Sequence, residues 1–168
     1  PEAALRRRYA AAFFADEQFE AARTALAPLL EGSGASADDL VRAATIELAD
    51  SGDHELALRY LHRAIGRDPE HGYALTTRGS IELLEGRYES ALEWFTRSLQ
   101  GGIDQEAKHL LRGITLDNLG RAEEALACYE KAIELSGGIG PVHATATYRA
   151  AADPIARRGL KSPGQRIW

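Results

Sequence analysis

The chain has 168 residues, 45% of them hydrophobic and 27% charged, with a formal net charge of -5. That length carries a hydrophobic core, and the balance is that of an ordinary folded domain and not of a disordered chain. The acidic excess argues against nonspecific nucleic-acid binding, the single cysteine excludes a disulfide framework, and no run reaches the roughly 18 apolar residues of a membrane span.

In chain order, the N-terminal stretch has basic residues at Arg6, Arg7 and Arg8 but no apolar core behind them, so it does not read as a secretory signal. Residues 3–37 read as a degenerate helix pair, with Gln18-Phe19-Glu20-Ala21-Ala22 in the place that Arg87-Tyr88-Glu89-Ser90-Ala91 takes later. From there a 34-residue period is plain. Gly52, Gly86 and Gly120 keep the step, as do Ala57, Ala91 and Ala125, then Leu58, Leu92 and Leu126. Leu61, Phe95 and Tyr129 follow it too, and Glu55, Glu89 and Glu123 repeat on what the helical pattern makes the outer face. Each of the three glycines separates two helical patterns and is expected at positive φ, where glycine ends a helix cheaply. Gly79 and Gly113 are expected to let backbones approach, with Phe95 and Tyr129 filling space between neighbouring repeats. Asp68-Pro69 ends a second helix, because proline disfavours helix in the residue before it.

A period of this length made of helix pairs, with Gly86-Arg87-Tyr88-Glu89-Ser90-Ala91-Leu92 and Gly120-Arg121-Ala122-Glu123-Glu124-Ala125-Leu126 in register, resembles the tetratricopeptide-repeat (TPR) family. The resemblance covers about four-fifths of the chain. It implies an all-α fold, a right-handed superhelix of stacked antiparallel helix pairs forming a TPR solenoid. The repeats fall at 3–37, 38–71, 72–105 and 106–139, with a capping helix at 140–152 and a basic tail at 153–168.

The resemblance also implies a non-catalytic scaffold that holds a protein or peptide in a concave groove lined by the first helix of each pair. Carried onto this sequence, the groove positions are Arg7, Arg42, Ile46, Tyr73, Thr76, Thr77, Ser80, Leu110, Leu111 and Ile114. One TPR subclass clamps the C-terminal carboxylates of chaperones with Lys, Asn and Arg. Those positions here are Arg42, Ile46, Thr77, Ala107 and Leu111, and only Arg42 keeps a charge, so that clamp is not expected.

Neither catalytic residues nor a metal or cofactor site is expected. His54-Glu55 opens a zinc-protease pattern, but Leu58 stands where the second histidine belongs. Cys128 reads as a small buried hydrophobe, with Lys131 its only nearby base on the same helix. Gly137-Gly138-Ile139-Gly140 follows a helix and not a strand, which removes the context of a dinucleotide loop.

Nucleic acid and membrane are not expected partners, and the lone thiol suits a cytoplasmic setting. Abundant alanine and a basic complement that is nearly all arginine suit a GC-rich bacterial genome. Two competing expectations stand beside the scaffold. The tail, with Arg157, Arg158, Lys161, Arg166 and the terminal Trp168, is placed for homo-oligomerisation, and the absence of any methionine suggests a regulatory domain excised from a larger protein.

Overall fold

The computed structural model describes residues 2–31, 34–100 and 105–137. The expected capping helix at 140–152 and the tail with Trp168 lie outside the described residues. Among the described residues there are eight α-helices and no strand. They are α1 (Glu2–Ala15), α2 (Phe19–Leu30), α3 (Ala37–Asp50), α4 (His54–Arg67), α5 (Gly72–Leu84), α6 (Tyr88–Ser98), α7 (Gln105–Asn118) and α8 (Ala122–Leu135). The chain forms two compact units, one ending at Arg78 and the other beginning at Gly79, within α5.

Local chemistry sets the helix ends. Gly52, Gly86 and Gly120 all have positive φ, at 65°, 75° and 74°. After Gly86 and Gly120 the next amide reaches back to close the turn: Arg87 N–H donates to the Glu82 carbonyl at 2.8 Å and Arg121 N–H to the Leu116 carbonyl at 2.9 Å. The first pair has no glycine there. Glu17 takes the left-handed conformation instead, with φ of 58°, and Gln18 N–H donates to the Phe13 carbonyl at 2.8 Å. A side chain in this region costs on the order of 1 kcal/mol. Glu17→Gly is therefore expected to stabilise the chain by about 1 kcal/mol, read as a rise in thermal midpoint, less the backbone entropy glycine adds to the unfolded state.

At the other ends, Ser36 and Asp39 form a reciprocal capping box at the start of α3, and the Asp53 carboxylate accepts from Leu56 N–H at 2.9 Å at the start of α4. α4 stops at Arg67, just before Asp68-Pro69.

In the first unit α1 packs on α2, α2 on α3 and α3 on α4. Its core gathers Ala10, Ala22, Leu26, Ala43 and Ile46, flanked by Phe13, Phe14 and Phe19. Two buried carboxylates tie helices together. Asp39 meets Arg7 of α1 through two bonds of 2.7 Å, and Glu47 meets Arg23 of α2 at 3.0 Å. Arg23 also bonds Asp50 and Glu20.

In the second unit α6 packs on α7 and α7 on α8. The core holds Leu116, Ala125, Cys128, Tyr129 and Ala132. The rings of Phe95 and Tyr129 make close contacts inside their own helix pairs. Each ring lies on the glycine of its own pair: a Cβ on Gly79 would come within 2.7 Å of Phe95, and one on Gly113 within 2.5 Å of Tyr129. Only a bare Cα leaves room for an aromatic ring at this depth. Lys108 is buried, with its Nζ donating to the Ser98 carbonyl at 2.7 Å at the end of α6, where the helix dipole favours a cation.

Candidate functional site

In the first unit, Phe14 of α1, Asp38, Val41, Arg42 and Thr45 of α3, and His71 and Tyr73 at the start of α5 enclose a recess of about 290 Å³. The walls are apolar where Phe14, Val41 and Tyr73 stand, and Tyr73 is 47% exposed. The Thr45 hydroxyl is turned inward, donating to the Val41 carbonyl at 2.9 Å.

Arg42 supplies the recess with a charge. Its Nε is buried and has no hydrogen-bond acceptor. Asp38 lies one helical turn away and would be the usual partner. It is instead bonded to His71, with Oδ1 at 2.9 Å from Nε2. The other ring nitrogen explains the choice. His71 Nδ1 accepts the Ala74 backbone N–H at 3.3 Å, capping α5, so Nε2 carries the proton and is directed at Asp38. Asp38 and His71 are thus part of the site although neither was among the expected groove residues. Their signal in the sequence was only that Asp38 is four before Arg42 and His71 immediately precedes α5.

Two expected groove residues are corrected. Arg7 is not an available cation, because its guanidinium is committed to the buried Asp39 carboxylate. That contact holds Asp39 at a pKa of about 2, chiefly through the hydrogen bonds from Arg7 and secondarily through those from Ser36, against the opposing effect of burial. Ile46 has no accessible surface and belongs to the core. It is drawn there because α3 must cover Ala22 and Leu26 of α2 as well as pack on α4. Thr76 and Thr77 are half-buried, with the Thr76 hydroxyl donating to the Gly72 carbonyl at 2.8 Å.

In the second unit Ser80 and Leu111 are half-buried. Leu110 and Ile114 lie against the core cluster, so part of their apolar surface is already covered. A polar group sits among them: Arg112 Nη1 donates to Cys128 Sγ at 3.1 Å. Burial pushes the Cys128 thiol above its ordinary pKa despite that guanidinium, so it stays protonated and unreactive at neutral pH. His109 is pushed below its ordinary value by burial, then by repulsion from Arg112 and Lys131. Arg112 comes from the neighbouring helix, which adjacency along α8 could not reveal.

A wider cleft of about 950 Å³ runs along α1 and α2, lined by Tyr9, Phe13 and Phe19. Its two arginines, Arg6 and Arg23, are already paired with carboxylates, so it offers no uncommitted cation. Among the described residues no group of three acidic, histidine or cysteine side chains could hold a metal, and no helix is long and apolar enough to cross a membrane.

Solved structures share the fold at low identity. The structure of Pseudomonas aeruginosa pilF superposes with a TM-score of 0.76 at 16% identity, covering 96% of this chain and 78% of that one. A MamA double mutant from RS-1 gives 0.73 at 17% identity, with 94% and 88% covered, and MamA from AMB-1 gives 0.68 at 18%, with 92% and 85% covered. No curated protein matches by sequence. Tetratricopeptide-repeat family models match residues 42–106 and 107–138, together more than half of the chain. With helix pairs closed by positive-φ glycines one period apart and aromatic rings seated on glycine within a pair, the all-α chain belongs to the tetratricopeptide-repeat family.

Proposed function

We propose that the chain is a non-catalytic scaffold that binds a protein or peptide partner through the first helices of its pairs. The observation that carries this reading is the recess on α1, α3 and α5, where a guanidinium with an unsatisfied buried N–H stands beside an exposed aromatic ring. Aromatic and arginine side chains dominate binding hot spots. Tyr73, Arg42 and Phe14 form the contact set in the first unit. Thr76 and Thr77 lie further along the same helix as Tyr73. In the second unit Ser80, Leu110, Leu111 and Ile114 extend the contact set as a separate patch.

Affinity capture from the source organism's lysate tests this, with the wild-type chain beside Tyr73→Ala/Arg42→Glu. Tyr73→Ala removes an exposed ring and leaves the core intact, so the variant is expected to fold with an unchanged helical circular dichroism spectrum. A partner held by the wild type and lost by the folded variant supports the scaffold. Identical captures from both chains would sink it.

A further inference from the structure

We propose that the cleft along α1 and α2 receives the basic segment 154–168 of a second copy of this chain. The cleft shares no lining residue with the recess around Arg42, so this reading stands apart from the proposed function.

The cleft combines uncovered aromatic surface with surplus negative charge. Leu5, Tyr9 and Phe13 recur every four residues and so share one side of α1, with Leu5 45% and Tyr9 51% exposed. The Tyr9 and Phe13 rings have centroids 6.4 Å apart, and Phe19 at the start of α2 adds a third ring. Apolar surface gathered in this way marks an interaction face, where scattered single residues do not.

Three carboxylates, those of Glu17, Glu20 and Asp50, line the same space. Arg6 does not answer them, because it is bonded to Glu2 at 2.8 Å. Arg23 is divided among Glu20, Asp50 and the buried Glu47. The Glu20 side chain is 87% exposed, so an incoming cation reaches it. Glu17 has no ion-pair partner among the described residues, and its backbone is in the left-handed region that the three later turns fill with glycine. The turn between α1 and α2 thus keeps a carboxylate in the cleft at a conformational cost that glycine would spare it.

The complementary chemistry is present in the chain itself. Its net charge is -5, yet residues 149–168 hold five basic residues against one acid, Asp153. Within 154–168, Arg157, Arg158, Lys161 and Arg166 are interspersed with Ile155, Leu160, Ile167 and Trp168. Arginine and lysine gain from an aromatic face as well as from a carboxylate, and their stems cover apolar surface. An acidic segment or a nucleic acid would meet the surplus carboxylates instead, which disfavours it. A cleft of about 950 Å³ accommodates several side chains of one segment. Each contact between copies uses one segment and one cleft, so it is heterologous, and copies add in series as concentration rises.

The test is sedimentation velocity of the full chain over a concentration series. Wild type is compared with Glu17→Lys/Glu20→Lys, with Arg157→Glu/Arg158→Glu and with Tyr9→Ala, each checked for an unchanged helical circular dichroism spectrum. The wild type is expected to gain mass with concentration, and to gain less at high salt because the carboxylates are exposed. Each charge reversal is expected to weaken association about tenfold by setting like charges against each other. Tyr9→Ala is expected to weaken it with every charge in place. An equimolar mixture of the two charge-reversed variants is expected to recover association, since the intact segment of one meets the intact cleft of the other. A wild type that stays monomeric at every concentration overturns the proposal. Association that either reversal or Tyr9→Ala leaves unchanged overturns it too, by placing the contact elsewhere. Variants that are weakened singly and do not recover when mixed show that the segment is not exchanged between copies, which overturns the assignment to a second copy.

Discussion

Asp39→Ala is expected to destabilise the first unit by about 3 kcal/mol, the scale for breaking a buried ion pair. Asp39 is 1% exposed. It accepts from Arg7 Nε and Nη2 at 2.7 Å each, and from the Ser36 hydroxyl and N–H at 2.8 and 3.0 Å. The substitution therefore removes the α3 cap and the link from α3 to α1 at once. Arg7→Ala costs less, about 2 kcal/mol, because Arg7 is partly in water and Ser36 still satisfies the carboxylate.

The pair also sets an acid limit. Asp39 is lowered in the folded chain from 3.8 to about 2, so the unfolded chain takes up the proton first as pH falls. The stabilisation is complete above the unfolded value near 4 and is lost as pH falls through about 2. Hydrogen exchange of α1 and α3 peptides is the proper reading, because the described tryptophan, Trp94, lies in the second unit. Exchange in Asp39→Asn is expected to be faster than in the wild type at neutral pH, with the gap closing between pH 4 and pH 2. A gap that stays constant with pH would show that the charge of Asp39 contributes nothing.

Gly113→Ala is expected to cost about 2 kcal/mol, although the same change inside an unencumbered helix gains up to about 1 kcal/mol. The added Cβ would lie 2.5 Å from Tyr129 Cε1 and 2.7 Å from Cδ1. Tyr129 is 2% exposed and held among Leu116, Ala125 and Ala132, so the ring has nowhere to retreat. Gly66 in α4 is the control, since a Cβ there would meet nothing within 4 Å. Thermal melts by circular dichroism are expected to show Gly66→Ala unchanged or raised and Gly113→Ala lowered. In a Tyr129→Ala background, itself destabilised, Gly113→Ala is expected to become neutral or favourable. Equal effects of the two alanine substitutions in the wild type would remove the steric explanation.

Much of this was readable from residue order alone, for identifiable reasons. Whether a backbone needs positive φ is a local matter, so Gly52, Gly86 and Gly120 marked the turns within three of the pairs. Helical spacing showed which residues share a face, so Glu55, Glu89 and Glu123 were placed outside, as found. The same logic failed at Glu17, where hydrogen bonding around the turn imposes the left-handed conformation on a residue that does not favour it.

The sequence by itself determined the all-α class, the period and the ends of most helices, because these follow from contacts between residues close along the chain. Only the tertiary structure decided how charges and faces were matched between helices. Arg7 and Arg42 read alike as exposed cations, yet Arg7 is spent on Asp39 while Arg42 keeps a buried donor unsatisfied. Ile46 shares a helix with Arg42, but α3 turns it onto α2 and into the core. Each ion had several partners within sequence reach, and the choice depended on distances across helices some thirty residues apart. Asp38 had both Arg42 and His71 available, and the cap that His71 makes on Ala74 aimed its remaining N–H at Asp38 and left Arg42 without that partner.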